Sequence, residues 1–147
     1  MSSLKNSKKE WLKTKSIDYW ARAPKMKHAK NIVNQPDTKR ANLLFRLNRR
    51  QLRIYIMFLT GHGIFKEHLY KMRLSHDKLC RFCKAADESA QHLLTGCRRF
   101  DYERCILFGR RKVTLTAYLQ SEFKDIMRYL KTTKLLEKFI EFDMRNE

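Results

Sequence analysis

Three cysteines and one histidine fall within eighteen residues as Cys80-x2-Cys83-x8-His92-x4-Cys97. No other feature restricts the fold as strongly. A two-residue gap lets both thiolates of a tight turn face one cation while turn amides point at the sulfurs. A His with a Cys five positions on is delivered from a helix and its end. Four nitrogen and sulfur ligands with no spare position describe a closed tetrahedral Zn²⁺ site, which is structural, whereas catalysis needs an open position. Buried free cysteines beside a surface histidine are the competing reading, but that asks four ligand-type residues to fall in ligand order by chance. A disulfide framework fits poorly with the absence of a secretory signal. Cys105 lies outside the pattern and reads as a helix-packed thiol, and His76 reads as a solvated loop residue.

Three thiolates, a neutral imidazole and Zn²⁺ leave one net negative charge, and Arg81, Lys84, Arg98 and Arg99 surround it in sequence. Phe82, between the first two cysteines, has two roles open to it: stacking on an unpaired base, or packing on the helix that carries His92.

The chain around this element has the length of one ordinary domain, 147 residues. An apolar fraction of 43% supplies a core, and 4 Gly and 2 Pro leave few obligatory turns, a composition that favours helices. Against 15 acidic side chains stand 33 Lys and Arg, a net charge of +18 that solubility does not require. A polyanion, RNA or DNA, is the implied partner. The excess is concentrated at the amino-terminal end, where residues 1–50 hold 14 basic and 3 acidic side chains. Candidate phosphate contacts are Lys25, Lys27, Lys30, Lys39, Arg40, Arg49 and Arg50, joined at the cysteine loop by Arg81, Lys84, Arg98 and Arg99, with Phe82 as the stacking candidate.

Helical periodicity recurs along the chain, and the expected fold is all-α, a small helical domain with a CCHC zinc knuckle. Leu4, Trp11, Leu12, Tyr19 and Trp20 predict a first helix ending at Pro24, with Trp20 in the core. Residues 24–40 read as a basic connector. Asn48 and Gln51 form a capping box for a helix running to about Thr60, apolar nearly all round and therefore the most buried. Gly61 to Gly63 end it, and a short helix follows over Phe65 to Met72. Beyond the cysteines, Phe123, Ile126, Met127 and Leu130, then Leu135, Leu136, Phe139 and Ile140, mark two more helices. Lys112 to Thr116 carries the one weak strand signal.

Catalytic signatures are missing. A two-metal nuclease needs converging carboxylates, whereas Asp87-Glu88 and Asp101 with Glu103 read as helix-start or solvated residues. GxSxG, P-loop and HExxH motifs do not occur. His62 reads as a helix-end residue bonded to backbone. No stretch has the apolar length of a membrane span, and the basic start carries Glu10 and Asp18, unlike a mitochondrial presequence. The chain reads as intracellular, nuclear or cytoplasmic, and non-enzymatic.

The run from Leu52-Arg53-Ile54-Tyr55 through Leu59-Thr60-Gly61-His62, then His68-Leu69, Leu79-Cys80-Arg81-Phe82-Cys83, Glu88-Ser89-Ala90-Gln91-His92-Leu93-Leu94 and Cys97, resembles the carboxy-terminal region of jockey-like non-LTR retrotransposon polyproteins. That region lies downstream of the reverse transcriptase and RNase H domains. The resemblance extends from about Trp11 to Leu136. It implies a division into residues 1–47, similar to the end of an RNase H domain and its linker, and residues 48–147, a helical domain holding the knuckle at 77–100. It also implies a role in holding template or target nucleic acid. The family often has Gly where this chain has Lys84 and Ala85, and Glu in place of Gln91; neither change removes a ligand. Nothing here corresponds to the catalytic carboxylates of either enzyme. The alternative function is a zinc-stapled structural or protein-interaction module derived from a mobile element.

Overall fold

The computed structural model describes residues 2–25, 27–33, 35–114 and 123–144. Among these the regular structure is helical: α1 (Ser2–Arg22), α2 (Lys27–Ile32), α3 (Thr38–Leu44), α4 (Arg49–Thr60), α5 (Lys66–Lys71), α6 (Ala90–Thr95), a 3₁₀ turn (Arg98–Phe100), α7 (Asp101–Phe108), α8 (Phe123–Thr132) and α9 (Leu135–Met144). The fold is all-α. No strand occurs among the described residues; the β-type pairing they contain is an isolated antiparallel bridge between Leu79 and Asp87. Residues 112–114 are irregular, contrary to the weak strand signal, and 115–116 lie outside the described residues. No helix among the described residues is long and apolar enough to cross a membrane.

Helix α4 is the centre of the core. It starts at the expected capping box, in which Asn48 Oδ1 accepts from the Gln51 amide at 2.9 Å and Gln51 Oε1 accepts from the Asn48 amide at 3.4 Å. It stops at Gly61, whose φ of +72° is the left-handed value that glycine adopts without a Cβ penalty. Ile54, Tyr55, Met57 and Phe58 are buried, while Ile56 is exposed, so the helix has one solvent edge. Helices α2, α6 and α9 pack against it, and α8 bridges α7 and α9. Phe58, Phe65 and Phe139 form a ring triad with centroids 5.1–5.4 Å apart, tying α4, the residue before α5 and α9 together. The periodic residues Ile126, Met127, Leu130, Leu135, Leu136 and Phe139 are all buried, as their spacing predicts.

The amino-terminal third departs from expectation. Leu4, Trp11, Leu12 and Tyr19 are exposed on α1, and Trp20 is half-buried rather than in the core, its indole N–H donating to the Val33 carbonyl at 3.1 Å. Lysines 5, 8, 9, 13 and 15 fall on the same side of α1 as these apolar residues and interleave with them, leaving no apolar stripe wide enough to bury. The stretch read as a connector holds α2 and the start of α3. Asp37 caps α3 by accepting from the Lys39 amide at 2.9 Å, and α2 lies on α4. Helix α7, for which the sequence reading gave no bounds, follows the 3₁₀ turn, with Asp101 and Glu103 in its first turn.

Candidate metal centre

The cysteine loop folds as a tight turn closed by main-chain bonds. Lys84 N–H donates to the Cys80 carbonyl at 2.9 Å, Cys80 N–H to the Ala86 carbonyl at 2.8 Å and Glu88 N–H to the Lys78 carbonyl at 2.8 Å. Lys84 sits at φ +55°, a left-handed conformation that glycine adopts more cheaply. Ser89 then caps α6 by accepting from the His92 amide at 3.0 Å, and α6 presents His92 one turn in. At its end the Cys97 amide donates to the His92 carbonyl at 2.8 Å, so the last ligand is held by the helix that carries the third.

This brings together all four residues expected as ligands. One ligand atom from each of Cys80, Cys83, His92 and Cys97 lies within 4.8 Å of every other, a group that can hold a metal ion. Cys80 Sγ and Cys97 Sγ are 3.8 Å apart, and Cys83 Sγ lies 3.3 Å from His92 Nε2. Cys80 and Cys97 are buried, Cys83 and His92 half-buried. All four cysteines of the chain are free thiols, so the disulfide reading fails: a disulfide requires about 2.0 Å between sulfurs. The hydrogen bond from Cys97 pulls the Cys80 thiol well below its ordinary range, helped by the Phe82 and Cys83 amides, with burial opposing. The Cys97 thiol is pushed up by the same bond and by burial. Cys105 is half-buried on α7 and His76 is exposed in a loop, both outside the group. The His62 amide donates to Thr60 Oγ1 at 3.3 Å, and its ring meets His68 edge-on at 4.9 Å.

Two buried ions hold the loop against the core, and neither was anticipated. Glu88, expected at a helix start or on a solvated face, lies just before the Ser89 cap of α6 and is fully buried. It accepts from the Arg81 amide and Nε, both at 2.8 Å, and from the Lys66 amide at 3.2 Å. Arg81 also donates to the Ile64 carbonyl at 2.8 Å and lies 4.3 Å from the Phe142 ring centroid, binding the turn to α9. Arg104 of α7 is likewise fully buried. It donates to the carbonyls of Cys97 and Arg111, to Asp101, and to the Tyr129 hydroxyl at 3.2 Å, while that hydroxyl donates to the Leu93 carbonyl at 2.7 Å. The one sequence signal for Arg104 is its place among Phe100, Leu107 and Phe108 at i−4, i+3 and i+4, on the apolar stripe of α7.

The expected nucleic-acid contacts divide. Lys25, Lys27, Lys39, Arg49, Arg50, Lys84, Arg98 and Arg99 are exposed, and Arg99 has an ion-pair partner in Glu103 at 3.9 Å. Lys30 instead caps the end of α1, its Nζ donating to the Ala21 and Ala23 carbonyls at 3.0 and 2.7 Å. Arg40 reaches the Tyr55 hydroxyl at 3.5 Å, and the Arg81 guanidinium is engaged internally as described. Phe82 is half-buried, packed against the core with its ring 5.2 Å from Phe100 of the 3₁₀ turn and capped by the Lys138 ammonium at 5.1 Å.

Comparison with protein-family models, curated proteins and solved structures finds no match.

Proposed function

We propose that the Cys80, Cys83, His92 and Cys97 group is a CCHC zinc knuckle holding one structural Zn²⁺, and that the chain is a non-enzymatic nucleic-acid-binding module. The observation that carries this is the convergence of the four donor atoms. A tetrahedral site with metal–sulfur bonds of about 2.3 Å and a metal–nitrogen bond of about 2.0 Å has edges of about 3.5–3.8 Å, which the separations of 3.8 and 3.3 Å approach. Three soft thiolates with one imidazole are a donor set for zinc rather than calcium or magnesium. Binding the cation would release the protons of the three cysteine thiols, and four protein ligands leave no open position for catalysis.

The nucleic-acid half rests on the +18 charge, on the exposed cations at residues 25, 27, 39, 49, 50, 84, 98 and 99, and on the resemblance to a retrotransposon polyprotein tail. Titration of the zinc-loaded chain with single-stranded and duplex nucleic acid over a range of salt tests it. Affinity that falls linearly with salt on a log–log plot supports the reading. Weak binding to every nucleic acid at low salt refutes it. The second reading, a protein-interaction module, draws on the exposed Leu4, Trp11, Leu12 and Tyr19 of α1.

A further inference from the structure

A cleft of about 440 Å³ opens beside the metal centre, with Cys83 and His92 lining it. Small residues, Ala85, Ala86 and Gly96, keep it open, and a Cβ built on Gly96 meets nothing within 4 Å. Arg98, Arg111 and Lys112 also line it, together with the carboxylate of Asp101. Asp101 is paired with Arg104, which balances its charge. The three cations are exposed, and among the described residues none has a carboxylate partner.

The segment that brings Arg111 and Lys112 here is held by its backbone. Arg104 Nε donates to the Arg111 carbonyl at 2.6 Å, and the amide of buried Val113 donates to the Thr95 carbonyl at 3.3 Å. Both anchors are main-chain groups, so they leave the Arg111 and Lys112 side chains available at the cleft. We infer that this cleft binds a phosphate group of a nucleic-acid strand through Arg98, Arg111 and Lys112. Charge-assisted hydrogen bonds supply the attraction, and the volume leaves room for the attached nucleotide. The inference rests on the nucleic-acid reading and adds two residues, Arg111 and Lys112, that sequence reasoning did not assign.

The test uses the zinc-loaded full chain. An Arg111→Gln/Lys112→Gln variant is compared with Arg73→Gln/Lys131→Gln, which removes the same charge at exposed positions outside the cleft. Anisotropy titration with a labelled single strand should show about tenfold weaker binding for the cleft variant and less than about threefold for the other. Inorganic phosphate added to the wild-type chain should shift the NMR amide signals of Ala86, Gly96 and Arg98. Equal weakening in both variants with no phosphate shift overturns the inference while leaving nucleic-acid binding intact. If no strand binds but phosphate still shifts those amides, the nucleic-acid reading falls, the strand assignment falls with it, and the cleft belongs to a small phosphorylated compound.

Discussion

The buried guanidinium of Arg104 donates to the main-chain carbonyl of Cys97, so the last of the four proposed metal ligands is positioned by a charged side chain on the helix that follows it. Replacing Arg104 with Met keeps the bulk but removes a donor from the Arg111 carbonyl, leaves the Cys97 carbonyl with the Phe100 amide as its remaining donor, and leaves Asp101 without its cation. A loss of about 3 kcal/mol in chemical denaturation is expected. Metal affinity, measured by competition with a chromogenic chelator, should fall roughly ten- to a hundredfold, because the support of a ligand is lost with its donor. Unchanged metal affinity would show that Arg104 serves packing alone.

Glu88 and Arg81 make the second prediction. Glu88→Gln removes the anion that faces a guanidinium whose side chain is 15% exposed, and should destabilise the fold by about 3 kcal/mol. Replacing both residues with apolar ones of similar volume should cost less than the single change, which a double-mutant cycle measures.

At Gly63 the φ of +144° and a Cβ that would stand 2.6 Å from Met57 Cγ both oppose any side chain. Gly63→Ala should cost about 1–3 kcal/mol. On a Met57→Ala background the Cγ and Sδ clashes are gone, while the 3.1 Å approach to the residue 57 Cβ and the backbone strain stay, so the penalty should shrink without vanishing.

What could be read from the sequence was local. The Asn48–Gln51 box, the Gly61 stop and the Cys80, Cys83, His92 and Cys97 pattern each depend on residues a few positions apart; the box and the stop form as read, and the four side chains converge. The Glu88–Arg81 and Arg104–Cys97 contacts depend on which face of a short loop or helix turns inward, and nothing local distinguishes a buried Glu or Arg from a solvated one. The same limit explains Trp20: its helix is periodic enough to be recognised, but its lysines decide that it lies at the edge of the core.

The charge account separates two kinds of lysine. Lys25→Gln with Lys27→Gln should flatten the log–log salt dependence of single-strand binding by up to about 1.4, two phosphates at about 0.7 each, with the melting temperature unchanged. Lys30→Gln should instead lower the melting temperature, since its ammonium satisfies the Ala21 and Ala23 carbonyls at the end of α1.

Metal content tests the account most directly, because a loop with so little apolar surface of its own should draw its folding energy from the ion. Elemental analysis of the purified chain, paired with melting curves before and after a strong chelator, is expected to give one zinc per chain and a marked loss of stability on its removal. Cys97→Ser should reproduce that loss without chelator. Folded protein that contains no zinc, and melts identically with chelator present, would contradict the account.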